Sequence, residues 1–221
     1  MSQTRCVRSP RRSVSVMVRG GLLCLGAAAI AGMQGGGCNP IIIDLPPVIV
    51  ESDHILGSPD APLTVVEFYG LYCPACAAFE RNEFATLRQN YIDAGLVRWV
   101  FRHYINMGSG DSLLAATATE CAADQGQYVE FRHLVMTNQS ARGQAAMQAH
   151  ATTLGLDRTV FDACLAGDAK QDRVQQDVDS AIALGITSTP TFVVGSERVR
   201  GYRTAAQLSE IIERHLTGEA P

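Results

Sequence analysis

Two thiols separated by two residues, in Cys73-Pro74-Ala75-Cys76, carry the clearest chemistry in the chain. Cysteines one helical turn apart can close into a small disulfide ring and reopen, moving two electrons without a metal or organic cofactor. The thiolate is the reactive form, so the question is which cysteine loses its proton first. The motif directly follows the apolar, β-branched run LTVVEFY of residues 63–69 and opens a helical pattern. Cys73 therefore falls at a helix N-terminus, where unpaired N–H groups and the helix dipole favour an anion. Such positions draw a thiol from about 8.5 into a range of about 3.5–7.5. Pro74 takes the first helical position, where its fixed φ and missing N–H cost nothing. Cys76 lies one turn further in and is more shielded. Cys73 is accordingly the attacking thiol and Cys76 the resolving one.

Other uses of the pair fit less well. A zinc site needs a second pair of ligands, but the five histidines are scattered and the remaining cysteines are distant in sequence. A purely structural disulfide over so short a ring would be strained and readily reduced. A chaperone holding a soft ion such as Cu(I) between the two sulfurs would be expected to carry a Met- or His-rich tract beside them, and the sequence has none. A peroxidatic cysteine would need Thr and Arg set around it, and the residues flanking Cys73 do not supply them.

The elements that must position the dithiol can be read from hydrophobic periodicity. Residues 63–69 read as a buried strand. Residues 74–94 read as one helix, with Phe79, Phe84, Leu87 and Tyr91 on one side. Residues 96–105, LVRWVFRHYI, form a second strand pattern. From 111 to 184 the pattern is helical, broken near Gly126, Gly143, Gly155 and Gly167 into four or five helices. Residues 191–195 and 197–200 read as two strands around a tight Gly195-Ser196 turn, and 207–216 as a terminal amphipathic helix. The order βαβ, helical block, ββα predicts an α/β fold in which both flanking units share one mixed sheet and the helices form an insertion at about 108–184.

Composition agrees with a folded exported domain. The 221 residues are 47% hydrophobic and 18% charged, which excludes a disordered chain, and seven cysteines are too few for a disulfide-scaffold miniprotein. Residues 1–37 hold five arginines and no acid, so a net charge of −4 for the chain leaves −9 on the rest. That acidic body argues against nucleic acid as a partner. A basic stretch to Arg19, an apolar run over 20–33 and then Gly35-Gly36-Gly37-Cys38 follow the order of a secretory signal. The apolar run is shorter than the ~20 residues that span a bilayer. The end of the segment resembles a bacterial lipobox, with Cys38 lipidated and first in the mature chain, although Gly35 stands where an aliphatic residue is usual. Cleavage after Ala31, within an A-x-A pattern, is the rival. Arg11-Arg12 is a poor match to a twin-arginine signal. Residues 38–51, with three prolines and two aliphatic runs, read as a stiff tether ending in an edge strand. The folded domain then covers 52–217, outside the reducing cytosol.

The stretch VEFYGLYCPAC of residues 66–76 resembles the strand and active site of the thioredoxin superfamily, and specifically its DsbA-like branch. The resemblance implies a thioredoxin fold with an inserted helical subdomain and an exported thiol–disulfide oxidoreductase that needs no cofactor. Ala75 stands where the best-known member has a His that stabilises the thiolate. Thr189-Pro190-Thr191 precedes an apolar strand as the family's cis-proline loop does, implying that Thr189 and Pro190, with Pro74 and Ala75, meet the substrate chain. Glu67 lies where the family often carries a buried acid that relays protons to the second cysteine; the plainer alternative is a strand residue facing a polar neighbour. Some relatives carry a second disulfide in the insertion, which here would join Cys121 to Cys164; two buried free thiols are the alternative. His103 reads as a satisfied or rim histidine, Leu71 and Tyr72 as either border or packing, and Asn138-Gln139-Ser140 as a glycosylation-like triplet without meaning in such a protein.

These expectations combine into one reading. The chain is expected to oxidise exported protein thiols through Cys73 and Cys76, to be reset by a redox partner, and to sit on the periplasmic side of a bacterial membrane through a lipid anchor. Reduction or isomerisation on the same fold is the alternative direction.

Overall fold

The structure is a computed structural model that describes residues 47–219. The expected signal of residues 1–37, the lipidation candidate Cys38 and residues 38–46 of the tether lie outside the described residues.

Five strands form one mixed sheet: β1 (His54–Leu56), β2 (Leu63–Tyr69), β3 (Val97–His103), β4 (Thr191–Val194) and β5 (Glu197–Arg200), in the order β1-β3-β2-β4-β5. β2 is central, parallel to β3 with Glu67 opposite Phe101, and antiparallel to β4 with Glu67 opposite Phe192. A strand with neighbours on both sides and helices on both faces is buried, here at every position but the half-buried Thr64, which explains its near-continuous apolar run. The two outer pairs, β1 with β3 and β4 with β5, are antiparallel. The edge strand is displaced from the expected place: residues 47–50 are not a strand, and β1 begins at His54. Asp53 anchors the approach to it, accepting from the Val50 N–H at 2.8 Å and from Arg102 Nε at 2.8 Å.

One face of the sheet meets α1 (Pro74–Asn82) and α8 (Ala205–Thr217), with Phe79, Trp99, Phe101 and Phe192 fully buried between them. Each such side chain contributes roughly 1.5–3 kcal/mol of burial. The other face buries Val66, Phe68, Val100 and Val193 against Ala181 of α7 (Ala169–Ala183) and Ile186. The single helix expected over 74–94 is three pieces. Glu83 leaves helical geometry (φ −121°, ψ −39°), α2 (Phe84–Leu87) follows, and a π turn closes Arg88–Ile92. The cause is tertiary. The Glu83 carboxylate accepts the Ala205 N–H at the start of α8 at 2.7 Å and the Tyr202 hydroxyl, so it is drawn off the helix axis. At the same end Thr204 and Gln207 form a reciprocal capping box, which starts α8 two residues before the expected Gln207.

Between β3 and β4 lie α3 (Gly110–Ala123), α4 (Tyr128–Thr137), α5 (Gly143–Thr153), α6 (Arg158–Leu165) and α7 (Ala169–Ala183). The chain turns out of α4 at Asn138, and Gly143, expected at a break, opens α5 with φ +77°. α3 is the axis of this block: residues 115–122 are buried on every side, as small side chains allow at all of them but Glu120, whose carboxylate is met by His54 and His103. Cys121 of α3 is bonded to Cys164 of α6, with Cα atoms 5.8 Å apart. Among the described residues, no helix is long and apolar enough to cross a membrane.

Candidate active site

The strand-to-helix step from β2 to α1 places Cys73 as N-cap of α1, with Pro74 as the first helical residue. The turn closes on itself through the Cys73 N–H, which donates to the Gly70 carbonyl at 3.0 Å. Cys73 is half-buried, Pro74 exposed, Ala75 half-buried and Cys76 fully buried. Both cysteines stand as free thiols.

Opposite them runs the loop into β4. The Thr189–Pro190 peptide bond is cis, and the Thr189 carbonyl lies 3.4 Å from Cys73 Sγ. Pro190 is buried and Thr189 half-buried beside the reactive sulfur. Of the four residues expected to meet a substrate, Pro74 and Ala75 thus open α1 directly after Cys73, and Thr189 and Pro190 lie on the loop that faces it.

The two thiols differ sharply in acidity. Cys73 is lowered to about 5, chiefly by a hydrogen bond from the Cys76 thiol; burial opposes this, and the Thr189 side chain with the backbone N–H groups of Cys76 and Ala75 reinforces it. Helix-terminal N–H groups contribute as expected, but the partner thiol contributes more. Cys76 is pushed up by burial, then by its hydrogen bond to Cys73, the Cys73 charge and, at the end of the series, the charge of Glu67. The difference makes Cys73 the thiolate at neutral pH and leaves Cys76 protonated.

Glu67 is fully buried beneath the site. Its Oε2 accepts Trp99 Nε1–H at 3.0 Å and its Oε1 accepts Arg132 Nη2–H at 2.8 Å. The second Nη of Arg132 donates to Glu80 on α1, whose other oxygen lies 2.8 Å from His133 Nδ1. Arg132, also fully buried, lies over the rings of Tyr69 and Phe101, each 4.5 Å from its centroid. Burial raises the Glu67 carboxyl and outweighs Arg132. Burial also pushes Glu80 up, but Arg132 and His133 outweigh it and hold Glu80 at about 2. Glu67 therefore faces a cation and an indole N–H, and it reaches Cys76 through its charge. Sequence reading missed Arg132 and Glu80, since an arginine within the helical run YVEFRHLVMT reads as solvated.

A second buried group lies at the C-terminal end of β3, where His103 stands opposite Tyr69 of β2. His103 Nε2 is 3.1 Å from Glu120 Oε1, and His54 Nε2 is 2.9 Å from Glu120 Oε2. The Tyr69 and Tyr128 hydroxyls share a hydrogen bond of 2.7 Å beside them. One atom each of His103, Glu120 and Asp177 lies within 4.8 Å of the others, a spacing that a metal ion could use. These carboxylates are already engaged, Glu120 by both histidines and Asp177 by the His103 N–H at 2.9 Å and by Arg173.

The loop between α4 and α5 also reaches the active-site turn, through Gln139, Ala141 and Arg142.

Against known proteins, a family model described as thioredoxin matches residues 50–214. The chain is 36% identical over 179 residues to a Na(+)/H(+) antiporter NhaA of Herminiimonas arsenicoxydans; the match covers 81% of this chain but 28% of that protein. It is 26% identical over 178 residues to disulfide bond formation protein D of Bacillus subtilis, covering 77% of this chain and 80% of that one. The crystal structure of Wolbachia pipientis alpha-DsbA1 superposes with a TM-score of 0.70 at 26% identity, over 79% of this chain and 94% of the other.

Proposed function

Because the chain belongs to the thioredoxin family, with the helical insertion of its DsbA-like members, we propose that it is a thiol–disulfide oxidoreductase that oxidises exported protein thiols through Cys73 and Cys76. A substrate thiolate attacks the Sγ of Cys73 in the oxidised protein. The Cys73–Cys76 bond breaks, a mixed disulfide forms at Cys73, and Cys76 leaves as a thiolate that takes up a proton. A second substrate thiolate then attacks the substrate sulfur of the mixed disulfide and expels Cys73 as a thiolate. The substrate gains a disulfide and loses two electrons; the protein gains both as its reduced dithiol.

The observation that carries the direction is the acidity of Cys73. A leaving thiolate held at about 5 is a good leaving group, and its stabilisation favours the reduced protein, which drives oxidation of the substrate. Thr189 and Pro190 hold the substrate backbone beside Cys73, with Pro74 and Ala75 at its border. Glu67 passes a proton to and from Cys76 as the buried thiol changes charge. A separate redox partner reoxidises the dithiol. In the same reading, residues 1–37 are a lipoprotein-type signal and Cys38 is lipidated, so that domain 52–217 hangs from the membrane on its 38–51 tether. Intact-mass analysis of the mature N-terminus tests that part.

Equilibration of the pair in glutathione buffers, with alkylated thiols counted by mass, tests the direction. A potential near about −120 mV supports the oxidant. A value near about −270 mV overturns it in favour of a reductase on the same fold.

A further inference from the structure

The turn that presents Cys73 is held from outside by a segment of the insertion. α4 ends at Thr137, the chain turns through Asn138–Ala141 with the Ala141 N–H on the Asn138 carbonyl at 2.9 Å, and α5 starts at Gly143. On that turn, the Gln139 side-chain amide donates to two backbone carbonyls, Leu71 at 2.9 Å and Cys73 at 3.1 Å. These oxygens lie on either side of Tyr72. Tyr72 is held in turn: its hydroxyl donates to the Ala141 carbonyl at 3.4 Å, and the Arg142 guanidinium lies 4.3 Å from its ring centroid.

We propose that Gln139 is a positioning residue for the reactive thiol, fixing through its two carbonyl contacts the peptide planes around Cys73 and so the orientation of its sulfur. This rests on the oxidoreductase reading above. The Leu71 carbonyl precedes α1 and has no helical partner, while the Cys73 carbonyl also takes the Ala77 N–H at 3.0 Å as the first bond of the helix. A peptide plane whose oxygen is bonded to Gln139 cannot rotate to bring that oxygen toward the neighbouring thiolate. The donors to the sulfur are the Cys76 thiol, the Thr189 side chain and the N–H groups of Ala75 and Cys76, and each acts only within a narrow range of Cys73 orientation. One side chain on the insertion, 66 residues from Cys73, thereby ties the helical subdomain to the acidity of the dithiol.

The test uses Gln139→Met, which keeps length and apolar volume without donors, and Gln139→Ala. Ser140→Ala, at an exposed position of the same turn, is the control. Thiolate absorbance of the reduced protein is followed against pH, together with the rate of exchange with glutathione and the thermal midpoints of both redox forms. The expected result is an upward move of the Cys73 pKa by about 0.5 to 1 in both Gln139 variants, a roughly three- to tenfold loss of thiolate at acid pH. Ser140→Ala leaves the pKa in place, and the oxidised form of Gln139→Met melts close to the wild type. An unchanged pKa and exchange rate in a folded Gln139→Met overturns the proposal. So does a Gln139→Met that does not fold, because the residue then serves the fold alone. If the wild-type pair shows neither an acidic thiol nor exchange, it is the oxidoreductase reading that fails instead.

Discussion

Cys73 Sγ and the carbonyl oxygen of Thr189 lie 3.4 Å apart although 116 residues separate them in the chain. Two loops from opposite ends of the domain therefore meet at one sulfur, and the properties of that sulfur belong to the fold rather than to the motif alone.

Alkylation of the reduced protein should show this directly. Cys73 is depressed to about 5, so its reaction with iodoacetamide should reach half its plateau near that pH, while Cys76 stays unmodified until the protein unfolds. A depressed pKa adds stability that is complete above the unfolded value near 9 and is lost as pH falls to about 5. The reduced form should therefore gain thermal stability over the oxidised form as pH rises from 5 to 9. Calorimetry of the two forms across that range measures it, and a constant difference contradicts the acidic thiol.

Arg132 supplies the buried positive charge to both Glu67 and Glu80. Arg132→Met leaves two buried carboxylates facing each other, a loss of roughly 3–5 kcal/mol. For a domain of this size that is a fall in melting temperature on the order of 10 °C. Adding Glu67→Gln and Glu80→Gln to the same chain should restore much of it, because no unpaired charge then remains.

Glu80 alone gives a pH signature. Held at about 2 against an ordinary 4.5, it stabilises the fold fully above the unfolded value, and that contribution fades as pH falls toward 2. Denaturant unfolding of Glu80→Gln beside the wild type should show a gap at pH 7 that narrows between pH 4.5 and pH 3. A gap of equal size at both ends would mean that the carboxylate is not paired in solution.

The Cys121–Cys164 bond closes a loop with a sequence separation of 43, for which loop entropy predicts about 4 kcal/mol as an upper figure. Cys121→Ala with Cys164→Ala should lower chemical stability by roughly 2–4 kcal/mol. The Cys73 thiol should keep its acidity, since all its donors lie outside α3 and α6.

What the sequence discloses about this site depends on distance along the chain. Cys73, Pro74 and Cys76 announce their places because strand, cap and helix are local patterns. The central strand is equally plain, since burial on both sides leaves it apolar. Arg132 is hidden: its partners lie 52 and 65 residues away, and by itself it reads as a charge on a wet helix face. Glu83 is hidden for the same reason, as its break in the 74–94 helix answers to the start of α8. β1 is three residues long and has no period to detect. Gln139 sat in a triplet that looked like a modification signal, so its bonds to Leu71 and Cys73 had no local trace. The pairing of Cys121 with Cys164 rested on resemblance, and the packing of α6 against α3 provides its geometry.

The sheet order carries a consequence for the timing of synthesis. β2 pairs with β3, which follows it closely, and with β4, which follows only after the whole helical insertion. A nascent chain, made from its N-terminus, thus carries the dithiol long before the strand and loop that complete its surroundings. Until Thr189 has been added, Cys73 lacks one of its stabilising neighbours and half of the frame that would receive a substrate. The growing chain passes its translation with a thiol pair that is present but untuned, and the reactive sulfur matures only when nearly the last strand has been laid down.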